Sequence, residues 1–132
     1  MRRDDVVRSL FDDGWNRGDF TPTADWLGDF RVHVGGRTME LDAPATHALV
    51  ARWRTAFPDL RFDVHRVVDG GDEFAVHLTL TGTHRGEWNG HPATGNRMSV
   101  PHAMFIRFDG DRITDIWEVL DSGAMDAQLA SG

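Results

Sequence analysis

The chain contains no cysteine, no tyrosine and no lysine. Without cysteine there is no disulfide framework and no thiol chemistry, which fits a reducing compartment. Without tyrosine there is no phenolic donor of the kind that some enolising enzymes aim at a developing oxyanion. All basic residues are arginine, and they are outnumbered: the formal net charge is -7. An acidic chain without a basic stripe argues against nucleic acid and anionic membrane surfaces as partners. No long apolar run and no signal peptide are visible, so a soluble, cytoplasmic protein is expected. At 132 residues the chain is long enough for one domain with a real core, and a single domain over 1–132 is expected.

What is present falls into two halves. The first half is helical in pattern. Val7, Leu10, Phe11, Gly14 and Trp15 recur at helical spacing between Arg3 and Asn16, and Asn16-Arg-Gly-Asp19 stops the run. Thr21 to Leu27 reads as a short second helix carrying Trp26. Phe30 to Val34 alternates as a strand and ends at Gly35-Gly36. Asp42, with Pro44 close behind, is a helix start, and Ala45, Leu49, Trp53 and Ala56 follow at four-residue spacing. Phe57-Pro58 ends that helix, because the residue before proline is pushed out of the helical region.

From Leu60 onward the period changes to two. Leu60, Phe62 and Val64 alternate with polar residues; after the turn Asp69–Asp72, Phe74, Val76, Leu78 and Leu80 do the same. Matching the apolar faces sets even-numbered residues opposite even-numbered ones, with His65 and His77 together on the polar face. Gly82 to Asn96 is polar and glycine-rich. Helices first and antiparallel strands after them predict an α+β fold: helices on one face of a curved, mainly antiparallel sheet enclosing a pocket.

The last two strands hold the chemistry. Ser99 to Phe108 and Arg112 to Leu120 flank the turn Asp109-Gly-Asp111. A three-residue loop pairs Ile106 with Thr114, Met104 with Ile116 and His102 with Glu118. An acid and an imidazole then stand opposite each other at the end of an apolar patch. A carboxylate is costly to bury without a partner or a task. Read alone, such a pair is also what a plain cross-strand ion pair looks like. Asp121 is a second acid, explained by capping the closing helix that runs to Leu129.

Ala56-Phe-Pro-Asp-Leu60, Gly82-Thr-His-Arg-Gly86, Gly90-His-Pro-Ala-Thr-Gly95, Asp109-Gly-Asp-Arg-Ile113, Trp117 and Gln128-Leu129 succeed one another in a characteristic order. In that order and spacing the chain resembles the SnoaL-like polyketide cyclase family, of the NTF2-like cone fold, from about Val6 to Leu129. The resemblance implies a cofactor-free enzyme that cyclises a hydrophobic carbonyl substrate by an intramolecular, aldol-type step. It also implies a homodimer, for which the face bearing His65, His77, Thr79 and Thr81 is one surface. By position the family's acid falls on Glu118 and a polar partner on His102. This chain departs from the family in having glutamate rather than aspartate, and Met104 and Ile116 where histidines are expected.

Removing a proton from a carbon between two carbonyls requires a base, and carboxylates walled by apolar groups lose hydration and become stronger bases. Met104, Ile116, Trp15, Trp53 and Phe57 are expected to supply such walls as substrate-binding residues, and His33 to line the pocket as well. Neither a metal nor an organic cofactor is called for. Trp88, in a polar loop, is expected as a lid or interface residue, and His84 at the rim of the cone. The same scaffold would also suit a protein that binds a small hydrophobic ligand without reaction, or an isomerase or hydratase.

Overall fold

The structure is a computed structural model, described over residues 1–130. Helix α1 (Arg3–Ser9) runs directly into a wider π-type turn (Leu10–Trp15), and a single 3₁₀ turn follows (Thr21–Thr23). Next come β1 (Phe30–Val34), β2 (Arg37–Leu41), α2 (Ala43–Ala56), β3 (Arg61–Asp69), β4 (Glu73–Thr83), β5 (Arg97–Asp109), β6 (Arg112–Leu120) and α3 (Ser122–Ala130). The strands form one six-stranded sheet in the order β2-β1-β6-β5-β4-β3. Every neighbouring pair is antiparallel except β1 and β6. This is the expected helix-on-sheet architecture, with a mixed sheet.

Local chemistry explains most boundaries. The Asp42 carboxylate accepts the Ala45 N–H at 2.8 Å and caps α2, and Pro44 sits in its first turn. Asp121 does the same for α3 through the Ala124 N–H at 2.9 Å, so its role is the capping one. The N-terminal segment is tied to the sheet by the Asn16 amide, which donates to the Phe62 carbonyl and accepts from the Phe62 N–H. Val6, Val7, Leu10 and Phe11 are thereby laid on the even-numbered residues of β4 and β5, from Phe74 to Leu80 and from Met98 to Ile106, which form the core.

Four points of the sequence reading need correction. Thr21 to Leu27 makes only one 3₁₀ turn, since Pro22 and two β-branched threonines support little more. Arg37–Leu41 is a strand that the pattern did not announce; it pairs back on β1 across the Gly35-Gly36 turn, where both glycines take positive φ. The β5–β6 register also differs. The turn closes tightly at Asp109 and Arg112, and Thr114 is then an extra residue in β6. His102 therefore stands opposite Leu120, Met104 opposite Glu118, and Ile106 opposite Ile116. In β3, His65 is a similar extra residue, so even-with-even pairing holds only up to Val64; His65 and His77 are nonetheless neighbours, with ring centroids 5.2 Å apart.

Gly14 has a packing reason. A Cβ there would overlap the Phe20 ring, which lies directly against the π-type turn. Gly14→Ala is expected to push Phe20 aside and lower stability by about 1–3 kcal/mol, the usual cost of overpacking. Urea unfolding of the two proteins checks this, and a midpoint unchanged within error would show that the ring is free to move.

Candidate active site

The inner, helix-facing side of the sheet ends in an apolar cavity. Leu10, Phe11 and Trp15 wall it from the helical side, Val32 from β1, and Met104, Ile106 and Ile116 from β5 and β6. Its volume is about 40 Å³, room for a few water molecules at most. The polar groups among the described residues that line it are Glu118, Thr46 and the Trp15 indole.

Glu118 and His102 do come together, although they are not directly paired in the sheet. Nε2 of His102 lies 3.2 Å from a carboxylate oxygen of Glu118. The Glu118 side chain is 18% exposed and that of His102 3%. The ring is not aligned for a hydrogen bond, and neither of its nitrogens has a partner among the described residues. The Phe62 ring packs against it at 5.8 Å. A neutral imidazole carries one N–H and one lone pair, so His102 can donate to the Glu118 carboxylate after a small rotation.

Of the other residues expected at the site, Trp15, Met104 and Ile116 line the cavity. Trp53 and Phe57 do not. They stack behind it, Trp53 against Trp15 at 6.4 Å and Phe57 against Trp53 at 6.0 Å, because α2 turns that side toward Trp88. His33 does not either. It alternates with Val32, and it is Val32 that faces the cavity, so His33 lies on the outer face of the sheet. There its Nε2 meets Asp115 at 2.9 Å, its Nδ1 meets the Thr38 hydroxyl at 3.0 Å, and its ring stacks on Trp117. Trp88 is buried rather than a lid, packed on Trp53 and Phe57. His84 is buried as well.

Asp115 is the charged group the sequence did not single out. Its side chain is 7% exposed. Arg31 grips it through Nε at 3.0 Å and a terminal nitrogen at 3.1 Å, a forked pair. Hydrogen bonds from Arg31, and after them from His33 and Thr114, outweigh the desolvation and hold this carboxyl well below the usual carboxylate range. No group of three or more possible metal ligands occurs among the described residues, and no described helix is long and apolar enough to cross a membrane.

This architecture, helices laid into a curved sheet around a cavity, is that of the NTF2-like cone proteins. Solved structures that share it include the following three. AclR, a proposed hydroxylase of Streptomyces galilaeus, is 26% identical, with a TM-score of 0.79 over 96% of this chain and 94% of that one. IdmH, a proposed polyketide cyclase of Streptomyces antibioticus, is 24% identical, with a TM-score of 0.81 over 99% and 100%. A SnoaL-like polyketide cyclase of Agrobacterium tumefaciens is 23% identical, with a TM-score of 0.78 over 98% and 100%. No curated protein matches the chain. Within the fold the family is defined: residues 5–129 match the SnoaL-like polyketide cyclase family, and the chain belongs to it.

The outer cluster yields a pH prediction. A carboxyl held below its unfolded range stabilises the fold above the unfolded pKa, about 3.9, and that contribution is lost as pH falls below it. Asp115→Asn is expected to cost about 1–2 kcal/mol at pH 7, the low end for charge-assisted bonds because Arg31 is half exposed. The difference from wild type should shrink steadily below about pH 4. Thermal melts of both proteins from pH 7 to 3 check this; a pH-independent difference would assign the loss to packing.

Proposed function

We propose that the chain is a cofactor-independent cyclase in which Glu118 removes a proton from a carbon flanked by two carbonyls. The resulting enolate attacks a further carbonyl of the same molecule, forming a carbon–carbon bond. The proton held by Glu118 then returns to the new alkoxide, so atoms balance and the carboxylate is regenerated. His102 is the polar assistant that orients the carboxyl. One observation carries the reading: a mostly buried carboxylate at the floor of an apolar cavity, 3.2 Å from a fully enclosed imidazole. Apolar walls favour a hydrophobic substrate, and they weaken hydration of the carboxylate without supplying a competing cation.

A second reading, binding without reaction, has its own support. Beyond Glu118, the Thr46 hydroxyl and the Trp15 indole are the polar groups among the described residues that line the cavity, so few donors are at hand for an enolate oxygen. One experiment separates the two. A hydrophobic 1,3-dicarbonyl compound bearing a further carbonyl is followed by NMR, because the aldol product has the same mass. Glu118→Gln should reduce turnover roughly 10²–10⁴-fold while the melting curve stays in place, and His102→Gln should cause a smaller loss. Binding without product in wild type, or full activity in Glu118→Gln, would overturn the cyclase.

The homodimer implied by the family is part of this proposal, and its surface is the outer face of the sheet. There His77 stands in register with Ala103 and Val119, and the exposed apolar residues are Phe105, Val119 and, on β3, Val68. The double substitution Phe105→Glu, Val119→Glu is expected to halve the mass seen by light scattering. An unchanged dimer would exclude this face.

A further inference from the structure

We propose that the recess between the glycine-rich loop and α3 is a second binding site, taking a one- or two-ring molecule whose hydroxyl group pairs with His84. The recess has a volume of about 260 Å³ and shares no lining residue with the Glu118 cavity. A dry cavity of about 150 Å³ suffices for benzene. Trp88, Pro92 and Leu129 give it apolar walls, His84 and Thr94 contribute polar groups, and Asp126 stands exposed at the rim.

The walls are preformed. The backbone of the loop is bonded to itself, His84 N–H to the Asn96 carbonyl at 2.9 Å and Gly95 N–H to the His84 carbonyl at 2.8 Å. It is also bonded to the end of α2, where the Arg85 and Gly86 N–H groups both donate to the Ala56 carbonyl. A Cβ on Gly86 would lie 2.7 Å from the Thr55 carbonyl oxygen, so the loop sits as close to α2 as glycine permits. Trp88 is held between Trp53, at 4.2 Å, and the Arg52 guanidinium, 4.6 Å from the ring centre. The loop backbone is ordered in advance, and the adjustment left to a ligand is a turn of His84 that brings its enclosed Nε2 to the recess.

The second observation is His84 itself. Its Nδ1 is fixed by the Thr94 hydroxyl at 3.0 Å, while its buried Nε2 has no hydrogen-bond partner among the described residues. Buried polar atoms in native proteins are almost always satisfied, by protein, water or ligand. Whichever tautomer Thr94 selects, Nε2 needs a group able to donate or accept, and a hydroxyl does both. An apolar body with one hydroxyl therefore matches what the recess offers.

The test uses the wild-type chain and NMR of its imidazole and indole signals during titration with 2-naphthol and with naphthalene. The expected result is saturable movement of the His84 and Trp88 signals with 2-naphthol, and about tenfold weaker binding of naphthalene. His84→Phe should remove the preference for the hydroxyl, and Leu129→Trp should fill the recess and abolish both responses while Glu118 remains unaffected. The proposal is overturned by an absence of movement at His84 and Trp88, which would leave water as the partner of Nε2. Equal binding of the two compounds to wild type, or a response that persists in Leu129→Trp, would overturn it as well.

Discussion

The fold depends on one dry carboxylate. Asp115 sits on β6 where the parallel strand β1 must attach, and Arg31 and His33, two residues apart on β1, both close on it. Parallel pairing is slightly weaker per residue than antiparallel, and β1 is only five residues long. A carboxylate that Arg31 and His33 can both reach in one register only supplies specificity, since any slip of β1 would give up both contacts. The consequence appears on the other face. With Arg31 beside Asp115 and His33 beside Trp117, Val32 falls beside Ile116 and Val34 beside Glu118. The wall of the inner cavity is thus set by an ion cluster on the opposite side of the sheet.

A second constraint aims the acid. Had the register at Asp109 and Arg112 continued without interruption, Met104 would face Trp117, and the inward residues of β6 would be the odd-numbered ones. The extra residue Thr114 changes the parity, so that Ile116, Glu118 and Leu120 join Met104 and Ile106 inside while Asp115 and Trp117 go out. One residue of bulge thereby decides which of the two carboxylates of β6 faces the cavity. Asp115 is sent to a forked arginine and a deeply ionised state, and Glu118 to apolar walls and a single imidazole.

This bulge also explains what could and could not be read from the chain. The α2 boundaries were legible because Asp42, Pro44 and Pro58 each act locally. The inward set Met104, Ile106, Ile116 and Glu118 was legible because alternation survives an error of two in register, although the partner of each residue does not. His33 was misjudged because alternation says which residues share a face but not which face is inward; only the packing of Val32 against the helices decides that. Arg37–Leu41 escaped notice because a five-residue strand at the sheet edge carries little apolar signal of its own. Asp115 escaped because its partners lie 82 and 84 residues away.

The size of the inner cavity bears on how such a site would work. About 40 Å³ is far too little for a carbonyl compound able to fold back on itself. For the proposed cyclase to work, a substrate would have to displace part of the wall to reach Glu118. Phe20 is well placed to be that part. It lines the cavity on one side and, on the other, a surface groove of about 400 Å³ beside Val50 and Arg54. The ring rests on the bare backbone of Gly14 and stacks on the exposed His47 at 5.8 Å, so no hydrogen bond opposes its movement. Opening there would join groove and cavity into one channel ending at the carboxylate. Closing over a bound substrate would exclude water from the reacting atoms.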